Sequence, residues 1–121
     1  MRRSLVTGGA GFIGSHIVEA LLVRGHEVRI LDDFSTGRQA NLSGFRRHVE
    51  VTRGTLCDAR TVRKAVKGVD LVFHLAANRA VVRSVENPRE THEVNVTGTF
   101  NVLLAARDFN VGRVVFSSSS A

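Results

Sequence analysis

The chain has no tryptophan and no tyrosine, one cysteine, one proline and, among 17 basic residues, only the two lysines Lys64 and Lys67. Each shortage removes a class of protein. With Cys57 alone no internal disulfide can form, so a packed core must hold the fold, as expected of a chain kept in a reducing cytoplasm. A single thiol and five scattered histidines give no ligand spacing, and no metal site is expected. No apolar run approaches the roughly 20 residues that cross a bilayer. The basic start Met1-Arg2-Arg3 is not followed by the apolar segment and small-residue cleavage site of a signal peptide. No membrane partner is expected. The formal net charge of +6 raises nucleic acid as a partner. Yet the basic residues stand singly or in pairs such as Arg46-Arg47, with no Trp or Tyr between them to stack on bases. A solvated, arginine-rich surface is the expectation, without nucleic acid.

What is present is a globular composition, 43% hydrophobic and 23% charged over 121 residues, enough for one domain spanning 1–121 with a real core. Short apolar runs alternate with helical periodicities. Strands are expected near 4–7, 27–31, 49–53, 69–76 and 113–116. A helix from near Gly11 to Arg24 sets Ile13, Ile17, Val18, Leu21 and Leu22 on one face. A short helix runs through Val62, Ala65 and Val66. A long one starts at Asn87-Pro88-Arg89-Glu90, where Asn87 caps, Pro88 takes the first helical position and Glu90 the third. It runs to Asp108 with Val96, Phe100, Leu103 and Ala106 as an apolar stripe. This alternation calls for a doubly wound parallel α/β sheet of order 3-2-1-4-5, with a ligand over the C-terminal ends of strands one and four.

The stretch Thr7-Gly8-Gly9-Ala10-Gly11-Phe12-Ile13-Gly14 links the first strand to the first helix. Such a glycine turn lets the backbone approach a pyrophosphate and aims the helix N-terminus at it. Asp32 ends the next apolar run, 18 residues after Gly14, where a dinucleotide fold places an acid for the adenosine ribose. At the end of strand four, His74-Leu75-Ala76-Ala77 supplies small residues that leave room for a cofactor.

These pieces, with Asp32-Asp33-Phe34-Ser35-Thr36-Gly37, Ser84 to Pro88, Asn95-Val96-Thr97-Gly98-Thr99 and Val114 to Ser119, resemble the extended short-chain dehydrogenases/reductases, in their NAD-dependent epimerase/dehydratase branch. The resemblance implies NAD as cofactor and a nucleotide sugar as substrate, hydride leaving a sugar carbon and returning through bound NAD. It implies that Gly8, Gly11 and Gly14, with the Phe12 and Ile13 amides, hold the pyrophosphate. Asp32 would take the adenosine ribose and disfavour a 2′-phosphate. Asp33, Ser35, Thr36 and Gly37 would line the adenosine end, with Thr55 and Leu56 after strand three. Ala76, Ala77 and Arg79 would follow strand four toward the cofactor, Asn95 would face the nicotinamide, and Ser119 would be the catalytic serine.

Two features depart from the pattern. Where the family has Gly-Asp after strand three, this chain has Gly54-Thr55, with Asp58 three residues on. The family's Tyr-x-x-x-Lys motif has no counterpart, since there is no tyrosine, nor has its C-terminal sugar-nucleotide-binding half. The resemblance thus implies the Rossmann part of such an enzyme, truncated after strand five and inactive alone. The alternative is a stand-alone, non-catalytic dinucleotide-binding or interaction module. An open strand-five edge and the long helix, which resembles one of the family's dimer helices, imply a homodimer.

Overall fold

The computed structural model describes residues 2–77 and 81–117. Five parallel strands, β1 (Arg3–Thr7), β2 (Glu27–Asp32), β3 (Val49–Arg53), β4 (Leu71–His74) and β5 (Arg113–Phe116), form one sheet in the order β3-β2-β1-β4-β5. This is the expected order, and the winding reverses between β1 and β4. The helices are α1 (Phe12–Val23), α2 (Ala59–Val66), α3 (Val81–Glu86), α4 (Pro88–His92) and α5 (Gly98–Asp108).

The sheet is covered on both faces because its central strands carry apolar side chains at successive positions. Leu5 joins a cluster with Leu31, Val62, Val66, Val72, Val102 and Ala105, which brings in α2 and α5. Val6, one residue on, points into a second cluster with Val18, Leu21, Val28, Ile30 and Leu42, which brings in α1. Neither Leu5 nor Val6 retains any solvent exposure, and each such side chain contributes roughly 1.5–3 kcal/mol of burial. β3 is a half-buried edge, as its alternation suggests.

Local chemistry fixes the helix ends. Asp58 caps α2, its Oδ1 accepting the Arg60 and Thr61 amides at 3.0 and 3.4 Å. The Thr61 hydroxyl and amide hold its carboxyl below the usual range. At the other end of α2, Nη1 of Arg29 donates to the carbonyls of Ala65 and Lys67. Asn87 caps α4 by accepting the Glu90 amide and donates to Glu90 Oε2 at 2.8 Å, as the sequence implies.

Three expectations need correction. Ile13 is not on the buried face of α1 but 48% exposed. Gly14, Ser15, Val18 and Leu21 face inward instead, because Gly14 seats the helix against the glycine turn. The stretch from Pro88 to Asp108 is helical throughout but contains a π turn at Glu93–Thr97. That turn joins α4 to α5, whose buried residues are Gly98, Val102, Ala105 and Ala106. Val96, Phe100 and Leu103 of the expected stripe lie on the outside, and only Ala106 faces the core. Finally, α3 occupies a segment with no helical signal in the sequence reading.

Candidate dinucleotide-binding site

The registers Thr7↔Leu31 and Thr7↔His74 set the C-terminal ends of β1, β2 and β4 side by side. A cleft open to solvent lies over them. Gly8 makes the turn that leaves β1. It has φ +73, and a β-carbon there would come within 2.9 Å of the Ala76 nitrogen. Its N–H donates to the Leu31 carbonyl, and its own carbonyl accepts the Gly11 N–H at 3.0 Å. Gly14 passes closer still, since a β-carbon there would lie 2.1 Å from the Gly8 oxygen. The turn therefore folds back under the first turn of α1, whose N-cap, Gly11, offers no side chain to that end of the helix. The Phe12 and Ile13 amides in that turn have no intrahelical acceptor and carry the positive end of the helix dipole. The Phe12 and Ile13 side chains themselves lie outside, 67% and 48% exposed.

Ala10 fastens this turn to the loop after β2. Its N–H donates to Asp32 Oδ2 at 3.0 Å, and its carbonyl accepts from the Arg38 amide and from Asn41 Nδ2. Asp32 is buried, at 8% exposure, and its other oxygen accepts the Phe34 amide at 2.8 Å. Two amide donors thus fix the carboxylate in one orientation, while each oxygen keeps a lone pair. Gly37 backs it, for a β-carbon there would sit 2.9 Å from Oδ2. Phe34 takes φ +60 under the Asp32 bond, and the Arg53 guanidinium lies 5.3 Å from its ring centre.

The cleft brings together Gly8, Gly11, Asp32, Asp33, Ser35, Thr36, Thr55, Leu56, Ala76 and Ala77 of the residues singled out in the sequence. It adds Leu31, Gly54, Leu75 and Val94. Gly54 and Leu75 adjoin motif residues, whereas nothing in the sequence marks Val94. Half-buried Asn95 follows Val94 in the π turn, and its carbonyl accepts the Thr99 hydroxyl. Thr55 Oγ1 accepts the Cys57 amide at 3.1 Å, so the hydroxyl at the family's acid position is already engaged. Asp58 serves α2 as its cap. Arg79 and Ser119 lie outside the described residues.

Behind the cleft, His74 is 3% exposed, and burial pushes its imidazole down to about 4. In the sequence His74 stands only as the first residue of His74-Leu75-Ala76-Ala77, whose small residues carry the cofactor expectation. Among the described residues no group of three or more His, Cys, Asp or Glu could hold a metal, and no helix is long and apolar enough to cross a membrane.

A parallel sheet wound in the order 3-2-1-4-5, a glycine turn at the switch point and a fixed acid after β2 define a Rossmann-type domain. Residues 4–121 match the NAD dependent epimerase/dehydratase family, and the chain belongs to it. It is 41% identical over 116 residues to a putative UDP-glucose 4-epimerase of Methanocaldococcus jannaschii, covering 95% of this chain and 37% of that protein. Over 119 residues it is 39% identical to a UDP-N-acetyl-alpha-D-glucosaminuronate decarboxylase of Bacillus cytotoxicus, covering 98% of this chain and again 37% of the relative. Among solved structures, the UDP-glucose 4-epimerase of Thermus thermophilus in complex with NAD is similar with a TM-score of 0.89 and 45% identity. That match covers 97% of this chain and 37% of the enzyme. The chain thus spans a little over a third of the length of these relatives.

Proposed function

We propose that the chain is the NAD-binding part of a nucleotide-sugar epimerase or dehydratase. The observation that carries this reading is the Asp32 carboxylate, locked by the Ala10 and Phe34 amides at the rim of a cleft floored by the glycine turn. The residues fit the cofactor. The Gly8–Gly11 turn and the first amides of α1 suit a pyrophosphate. The free lone pairs of Asp32 suit ribose hydroxyls and repel a 2′-phosphate. Asp33, Ser35 and Thr36 border the adenosine end, with Thr55 and Leu56 beside the adenine. Ala76 and Ala77 would follow β4 toward the cofactor and Asn95 would face the nicotinamide, while Arg79, given a cofactor role with the two alanines, lies outside the described residues. NAD held there would supply a hydride acceptor for a sugar carbon and a donor for its return. Ser119 would hydrogen-bond the reacting sugar hydroxyl, and the family's Tyr-x-x-x-Lys proton acceptor has no counterpart in this tyrosine-free sequence.

Calorimetric titration tests the reading. The chain should bind NAD detectably and more tightly than NADP, and Asp32→Ala should weaken NAD by roughly 1–3 kcal/mol through loss of a charge-assisted hydrogen bond. Equal or tighter NADP binding would remove the role given to Asp32. The chain alone should show no turnover with nucleotide sugars and NAD, because this tyrosine-free sequence has no Tyr-x-x-x-Lys motif to act as general base. Turnover abolished by Ser119→Ala would contradict that.

Self-association belongs to the same reading. Val96, Phe100 and Leu103 recur at helical spacing along the outer side of the π turn and α5, each about half exposed, and Val115 and Phe116 are exposed on edge strand β5. A second copy packing on the α5 face would cover the first patch. Sedimentation equilibrium should show a concentration-dependent dimer that Phe100→Glu weakens. A monomer at every concentration would rule the dimer out.

A further inference from the structure

A chain of side-chain hydrogen bonds runs across the C-terminal edge of the sheet, beneath the cleft. Thr7 Oγ1 accepts the amides of Leu75 and Ala76 at 3.1 and 3.2 Å. Its single proton is thereby left for Nδ1 of His74, 2.7 Å away. On the other side of the ring, Thr99 donates its hydroxyl proton to the Asn95 carbonyl at 2.7 Å. It can then only accept from Nε2 of His74, at 2.8 Å. Two separate constraints, one from each threonine, give the same tautomer, with Nδ1 bare and Nε2 protonated. A proton on Nδ1 would face a hydroxyl oxygen that already accepts two amides.

We propose that His74 is the positioning residue of the cleft, its Nε2–H tautomer joining the segment after β4 to the π turn at a fixed separation. Through Thr7 it holds Ala76, whose backbone makes the close approach to Gly8. Through Thr99 it holds the carbonyl of Asn95, next to Val94. Ala76 and Val94 both line the cleft, whereas His74 does not and acts only through its two threonine partners. The chain ties together the ends of two strands and one helix, so a change at Thr99 is felt at Ala76, on a different element. Burial of the imidazole supports this arrangement by keeping it neutral at ordinary pH. The affinity consequence rests on the reading of the cleft as an NAD site; the tautomer and the coupling do not.

The test uses the full chain and the variants Thr7→Val, Thr7→Ser, Thr99→Val and Thr99→Ser, each at a temperature where its thermal melt shows it folded. Nitrogen-15 correlation spectra of the imidazole report the tautomer, amide hydrogen exchange reports Ala76, and calorimetry reports NAD affinity. His74 should appear as the Nε2–H tautomer. Both valine variants, including the distant Thr99→Val, should speed exchange at Ala76 and lower NAD affinity by roughly fivefold or more, since Thr99→Val removes two side-chain hydrogen bonds and Thr7→Val three. The serine variants, which keep the hydroxyl, should restore both to within about twofold. An Nδ1–H tautomer, or Ala76 exchange in Thr99→Val equal to that of the parent chain, would overturn the proposal. Failure of the parent chain to bind NAD would count against the site reading alone, with tautomer and exchange still deciding the role of His74.

Discussion

Gly14→Ala is expected to destabilise the chain by about 3 kcal/mol or more, at the upper end of what overpacking costs. The new methyl would sit 2.1 Å from the Gly8 carbonyl oxygen and 2.9 Å from its carbon. Both are main-chain atoms and cannot rotate aside. Relief requires either lifting the start of α1 or moving the Gly8 carbonyl, and the second breaks the bond that carbonyl accepts from Gly11. Either shift misaligns the amides that face the cleft, so cofactor binding should fall with stability. Gly9→Ala is the internal control. Its nearest neighbours are the Cγ1 and Cγ2 atoms of Ile30, both at 2.8 Å, in a buried β-branched side chain that can yield only by shifting within the core, a longer and softer contact than the main-chain one at Gly14. It should cost less. Urea unfolding of the three chains measures the difference. A Gly14→Ala chain within about 1 kcal/mol of the parent, below the usual overpacking range, would mean the turn is more pliable than its hydrogen bonds imply.

The second large effect is a loss of stability in mild acid. The native imidazole of His74 titrates at about 4, whereas a free one titrates near 6.5. Between those values the unfolded chain takes up a proton that the native chain refuses. Stability from this group is therefore fully present above pH 6.5 and falls as pH drops toward 4, by about 3 kcal/mol in all. Below that window two carboxylates take over. Asp108, held down first by Arg63 and then by Arg107, and Asp58, held down by Thr61, lose their contributions as they protonate. Urea midpoints from pH 7.5 to 4.5 read the His74 effect without reaching the carboxylates. His74→Gln, less stable at neutral pH, should lack most of this slope. Equal slopes in the two chains would show that another group governs acid sensitivity.

The sheet order and the place of the site were legible because they depend on patterns that few other arrangements satisfy. Consecutive apolar residues such as Leu5-Val6 occur where a strand is covered on both faces. A glycine turn followed by Asp32 at the end of the next strand puts both motifs at one edge of the sheet, where they line the same cleft. What was not legible depends on tertiary contacts of single residues. Ile13 has the periodicity of a core residue, but the close seating of Gly14 turns it outward. Val96, Phe100 and Leu103 form an apolar stripe whether or not the chain itself covers it, and here it does not. The π turn is no pattern of residue types. Neither is the role of His74, which depends on Thr7 and Thr99, 67 and 25 residues away, each spending its hydroxyl proton in a particular direction.

Amide chemical-shift mapping of an NAD titration on the uniformly labelled chain decides whether the cleft holds the cofactor. Saturable shifts are expected at Gly8, Gly11, Phe12, Ile13 and Phe34, whose amides belong to the glycine turn, the start of α1 and the Asp32 clasp. Further shifts should appear at Thr55, Leu56, Ala76 and Ala77 on the remaining walls, and all should weaken together in Asp32→Ala. Saturable binding that leaves the glycine turn and the Asp32 loop unshifted would contradict that placement of the cofactor.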